Sequence, residues 1–187
     1  MTDLTALDPA ARHRAVAATF AEVSRSISDW DAPTPVPEWR ARDVVSHLVE
    51  WLPGFLESVG VELIGAPANA VAPAEAFGLL TAAVQGLLDA PDADRIVSTQ
   101  MMGELPLNQL VDRFYTADVF MHTWDLARSN AITPDLDETF ARGLHTGLES
   151  MGEMLQQSGQ FGAPIEPPAD SDEVVSLMAF IGRDPAF

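Results

Sequence analysis

Two histidines and two aspartates are the residues of this sequence whose types and spacing could do chemistry. Asp118, His122 and Asp125 fall within the stretch FYTADVFMHTWDLARS, residues 114–129. Positions 118 and 122 are one helical turn apart, and 125 follows on the same face. Leu107, Leu110, Val111, Phe114 and Met121 recur at helical spacing around them. Continued at about 3.6 residues per turn, that apolar stripe runs through all three polar residues. A carboxylate on a buried face must find a partner or protonate. Two ligands at i and i+4 are the geometry of helical zinc sites, yet a simple ionic or hydrogen-bonded helix pair has the same spacing. The pair Asp118 and His122 by itself leaves both readings open.

His47 adds to this. It sits in RARDVVSHLVEWL, one turn from Trp51 and three residues from Val44, and so faces the interior with them. A lone histidine on an apolar face is ordinarily a satisfied core residue. Two such histidines and an aspartate, on two helices, make a three-ligand set with an open position, which suits zinc, ferrous iron or nickel. Helical bundles build sites of this kind from facing helices. Asp125 is expected to orient His122 or to pair with Arg128 or another arginine, with a fourth ligand as the alternative. Trp39, Trp51 and Trp124 are expected in the core first, and in a pocket wall second. His13 and His145 have no constellation around them.

The elements that must position these groups can be traced by periodicity. Val16, Phe20, Val23, Ile27 and Trp30 mark a first helix from Asp8, with Pro9 in its first turn. DAPTPVPEW breaks it. A second helix is expected over residues 40–59, with Pro53 and Gly54 kinking or interrupting it. Arg40 offers no Ser or Thr cap there, so Asp43 is expected to serve the first turn by charge alone. A third helix spans about 74–88 and ends at DAPDAD. RIVSTQMMGELP is extended or irregular, being rich in β-branched residues with Gly and Pro. The fourth helix runs about 107–129 and the fifth about 137–157. After the Gly/Pro-rich SGQFGAPIEPPAD comes a short last helix near 172–181. The expected fold is all-α: a helical bundle with long crossover connections and a short C-terminal helix, in one domain over residues 1–187.

Composition bounds the function classes. The chain has 187 residues, 47% of them apolar, so a sizeable core is available. All ten basic residues are arginine, and 28 acids bring the net charge to -18. Nucleic acid and anionic membrane surfaces are therefore not expected partners, since both are bound through excess basic charge. No cysteine is present, which removes disulfides, cysteine nucleophiles and thiolate metal sites. Any thiol chemistry must bring its thiol from outside. The N-terminal stretch MTDLTALDPAARHR has no basic region followed by an apolar run, and no membrane-length apolar segment follows. A cytoplasmic location is expected. No G-x-S-x-G, P-loop or G-x-G-x-x-G is found.

Three stretches together resemble a known family. PTPVPEWRARDVVSHLVEW is similar to the start of that family's second helix, DVFMHTWDLARS to its E-x-x-x-H-x-W-D-L-A helix, and AFIGRDP to its usual ending. The chain thus looks like the actinobacterial DinB-like metal-binding proteins, related to the metal-binding domain of mycothiol-dependent maleylpyruvate isomerase. The resemblance implies a DinB-like four-helix bundle holding a divalent metal between His47, Asp118 and His122. It points to zinc, with nickel or iron as alternatives, and to mycothiol as the outside thiol. The family's usual carboxylate is Glu; Asp118 is one methylene shorter. The isomerase carries a further C-terminal domain that this length does not accommodate, so its substrate is not implied.

A divalent ion held by one carboxylate and two neutral imidazoles keeps a positive charge, which favours loss of a proton from a bound thiol or water. The expected function is a metal- and mycothiol-dependent transferase or isomerase acting on a small electrophile. The alternatives are a non-catalytic metal- or small-ligand-binding module, and metal-assisted hydrolysis with Asp125 as general base. A homodimer through an exposed helix face is also expected as a candidate assembly.

Overall fold

The computed structural model describes residues 3–67, 72–99, 102–152 and 159–187. After a single 3-10 turn, α1 spans Pro9–Ser26, α2 Ala41–Ser58 and α3 Pro73–Leu88. A helical stretch then runs from Leu107 to Ser129: α4 (Leu107–Val111), one π turn (Asp112–Thr116) and α5 (Ala117–Ser129). Finally α6 spans Glu138–Met151 and α7 spans Glu173–Phe180. Both α3 and α5 pack against both α1 and α2, so four helices enclose a common core. Phe20, Leu48, Phe77 and Phe120 meet there, each at most 1% exposed. The two last helices pack on each other, and the edge-to-face pair Phe120–Phe140 joins α6 to α5.

Local chemistry explains the boundaries. The Asp8 carboxylate accepts from the Ala11 N–H at 2.8 Å and Pro9 follows it, a capped start with no wasted donor. In α2 the Asp43 carboxylate accepts from the Arg40 N–H at 2.8 Å. Asp43 therefore acts by a hydrogen bond, as the second half of a capping box, and not by charge alone. Pro53 and Gly54 do not interrupt α2, which continues to Ser58.

The fold is mostly helical, but not all-α. Ile96–Thr99 (β1) and Gly103–Pro106 (β2) form an antiparallel hairpin, with Val97 opposite Leu105 and both buried against the helices. The β-branched run of β1 favours extended backbone, and Gly103, at the start of β2, takes a left-handed φ of +68° that glycine adopts readily.

Two further differences bear on the site. The stretch from Leu107 to Ser129 is not one uniform helix. Its π turn inserts an extra residue and rotates everything beyond it relative to α4. Tyr115 is thereby fully buried, while Phe114 stays half-exposed. Nor is α5 amphipathic: every residue from Val119 to Ala127 is buried, as expected of a helix enclosed on all sides. The expected fifth helix ends earlier, at Met151, and positions 153–158 lie outside the described residues.

Candidate metal centre

The site sits where α2 meets α5. His47 projects from α2, while Asp118 and His122 project from the first turns of α5, just beyond the π turn. Because all three α5 positions of interest follow that turn, their i, i+4, i+7 relation survives it. One ligand atom from each of His47, Asp118 and His122 lies within 4.8 Å of the other two. His47 Nε2 is 3.2 Å from Asp118 Oδ2, and His122 Nε2 is 3.5 Å from Asp118 Oδ1. Ligands about 2.0–2.2 Å from a tetrahedral zinc ion stand roughly 3.3–3.6 Å apart. The donor types, gathered within 4.8 Å of one another, could hold a divalent ion after small side-chain adjustments. Side-chain exposure falls from 33% at His47 to 19% at Asp118 and 6% at His122, so the cluster opens to solvent on the α2 side.

A second layer holds the cluster. The Trp51 indole N–H donates to Asp118 Oδ2 at 3.1 Å. Asp125 is completely buried, and its Oδ2 lies 2.9 Å from His122 Nδ1. A proton shared there fixes Nδ1 as the donor and turns Nε2 toward Asp118. Arg183 donates from Nε to Asp125 Oδ1 at 3.2 Å and from Nη2 to Asp125 Oδ2 at 3.2 Å. Asp125 thus takes the orienting place, and its partner is Arg183, not Arg128. Arg128 instead lies over the Trp124 ring and bonds to C-terminal carbonyls.

Arg183 reaches the interior because the chain turns sharply before it. Gly182 has a φ of +86°, and a Cβ there would stand 2.6 Å from the Gly162 Cα. Only glycine fits that approach. The same strap is tied by the Gly162 N–H donating to the Ile181 carbonyl at 3.1 Å.

The electrostatics follow from this geometry. Burial pushes the His122 imidazole down, but Asp118 and Asp125 outweigh burial and hold it above its ordinary value. Burial pushes the Asp118 carboxyl up, but His122, His47 and the Trp51 N–H outweigh it and hold the group below its ordinary value. Without a metal ion, the pair therefore favours a carboxylate beside an imidazolium, and an incoming cation must displace that proton.

Of the tryptophans, Trp39 and Trp51 border the cluster. Trp39 stacks on His122 at 5.6 Å between ring centroids and lies 5.0 Å from His47. Trp124 is buried away from it, under Arg128. His145 packs on Phe180. His13 is fully buried beside Tyr115 and Thr116. Sequence reasoning did not find Arg183, although the glycine ahead of it in AFIGRDP was a signal for a tight turn.

Comparison with known proteins bears directly on this cluster. The family model for the mycothiol maleylpyruvate isomerase N-terminal domain matches residues 10–127, a span that includes His47, Asp118, His122 and Asp125. The chain belongs to this family. Two proteins from two strains of Mycobacterium tuberculosis, both described as uncharacterized, are each 28% identical to it over 184 residues. The alignment covers 95% of this chain and 98% of each relative. No solved structure matches the chain. Arg183 lies beyond the matched span. Among the described residues, no helix is long and apolar enough to cross a membrane.

Proposed function

We propose that the protein binds a divalent metal ion through His47, Asp118 and His122, with zinc first and nickel or iron as alternatives. It would use the ion, with mycothiol, to transfer or isomerise a small electrophile. On this reading the four-helix core is a DinB-like bundle. The observation that carries it is the convergence of two imidazole Nε2 atoms on one carboxylate, within 4.8 Å, at the bundle surface. Membership in a family linked to a mycothiol-dependent isomerase supplies the thiol.

A bound divalent ion would supply a fixed positive charge beside which a small thiol loses its proton near neutral pH. The chain's own residues do the rest. Asp125 and Arg183 set the direction of His122 Nε2, and Trp51 holds one oxygen of Asp118. Trp39 packs against both imidazoles. Asp125 is completely buried and both of its oxygens are engaged by His122 and Arg183. A carboxylate held in that ion pair is a weakened base without access to a water, which counts against hydrolysis with Asp125 as base.

Metal analysis of untagged protein purified without chelator, beside His122→Ala, tests the metal. A single divalent ion per chain is expected in the wild type and none in the variant. Absence of metal from both, even after zinc, nickel and iron are added, would sink the reading. Loaded protein is then assayed for consumption of mycothiol with small electrophiles. Metal binding without turnover would favour the binding-module alternative.

A further inference from the structure

Four large aromatic side chains next to the cluster are not buried as core residues are. Trp39, Trp51, Phe55 and Phe114 are only partly covered, whereas Phe20, Phe77, Tyr115 and Phe120 are at most 1% exposed. The four are continuous through the metal cluster. Trp39 meets His47 at 5.0 Å between ring centroids, and His47 meets Trp51 at 6.1 Å. Trp51 then meets Phe55 at 5.5 Å and Phe55 meets Phe114 at 5.4 Å. The π turn keeps Phe114 in this row, since it sends the next residue, Tyr115, into the core. A row of half-covered rings on both sides of convergent polar atoms has the makeup of a ligand site: apolar walls and a few placed polar groups.

Charge narrows the occupant. Arg40 donates to the Asp31 carbonyl and Arg42 pairs with the Asp31 carboxylate. Arg183 is committed to Asp125. A net charge of -18 opposes the approach of polyanions.

We propose that this aromatic row seats the planar, apolar body of a small ligand whose single donor group reaches the His47–Asp118–His122 cluster. The inference rests on the metal reading above and adds the substrate class: an aromatic-bodied molecule.

Cobalt-loaded protein, followed by its visible spectrum, provides the test. Benzohydroxamate and acetohydroxamate present the same head group and differ in the body. Benzohydroxamate is expected to bind roughly tenfold more tightly. Phe55→Ala combined with Phe114→Ala is expected to cut that preference to below about threefold while the cobalt spectrum and stoichiometry stay the same. Phe55→Leu, which keeps apolar area and disturbs packing less, should retain part of it. Equal binding of the two hydroxamates to cobalt-loaded wild type would overturn the inference and leave the metal site standing. So would a preference that survives the double variant. A wild type that sediments as a dimer, and a double variant that runs as a monomer with the preference intact, would assign the row to a second copy instead. Failure to bind cobalt at all would remove the metal reading, and this one with it.

Discussion

Replacing Arg183 by Met tests whether the C-terminal strap belongs to the site. The guanidinium is 8% exposed and its partner carboxylate 0%. Removing it leaves Asp125 buried with only His122 as a partner. Breaking a buried ion pair from one side costs roughly 3–5 kcal/mol. For a chain of this length that lowers the melting temperature by about 6–20 °C. The effect on the metal is separate. His122 would still be present, but the carboxylate that sets its Nδ1 proton would be free to rotate or protonate. Losses of about 10–100-fold in metal affinity are typical when such an outer partner is removed. Asp125→Asn gives an independent check that nearly keeps the side-chain shape. If the amide oxygen accepts from His122, the amide nitrogen must face Arg183 Nε, which is also a donor. Zinc affinity, measured by competition with a chromophoric chelator at a temperature where each variant is folded, should fall in both. Wild-type zinc affinity in folded Arg183→Met and Asp125→Asn proteins would refute the orienting role. An unchanged melting temperature would refute the buried ion pair itself.

Two further outcomes follow from the titrating groups. Because His122 is held above its ordinary value, a proton competes with the metal at pH values above about 6.5. Apparent zinc affinity should fall about tenfold per pH unit below that raised value. In the metal-free chain the same group stabilises the fold fully below about 6.5, and this contribution is lost as pH rises through the raised value. The gap between the zinc-loaded and chelated melting temperatures should therefore widen from pH 6 to pH 8; a constant gap would contradict the pairing. His13 behaves oppositely: burial pushes it down to about 4. Its contribution is complete above about pH 6.5 and is lost as the pH falls toward the folded value, by about 3 kcal/mol. Denaturant unfolding of wild type and His13→Phe at pH 7 and 4.5 should show a smaller acid loss in the variant.

Asp118, His122 and Asp125 could be read onto one face because i, i+4 and i+7 are properties of any helix. His47 could be added because its own spacing to Val44 and Trp51 put it on the interior side of α2. The cap of α1 and the ends of α3 were legible for the same reason, since they are set by neighbours in sequence, whereas the hydrogen bond from Arg40 N–H to Asp43 and the unbroken passage of α2 through Pro53 and Gly54 were not. The hairpin was legible only as a segment that should not be helical. Its pairing depends on Val97 and Leu105 finding a helical surface to cover. Periodicity also misread the long helix as uniform and one-sided, since a π turn leaves no fixed sequence mark and enclosure is a fact about neighbours.

By itself the sequence determined which side chains can meet along each helix, where the helices begin, and that any thiol must come from outside a cysteine-free chain. The tertiary structure alone decided that α2 and α5 face each other closely enough to bring His47 within 3.2 Å of Asp118. It also decided that Asp125 answers to Arg183, 58 residues away, and that Phe114 joins an aromatic row while Tyr115 is buried. The physical reason is range. Helical spacing acts over a few residues, whereas ion-pair choice and burial depend on which distant segments the packing brings together.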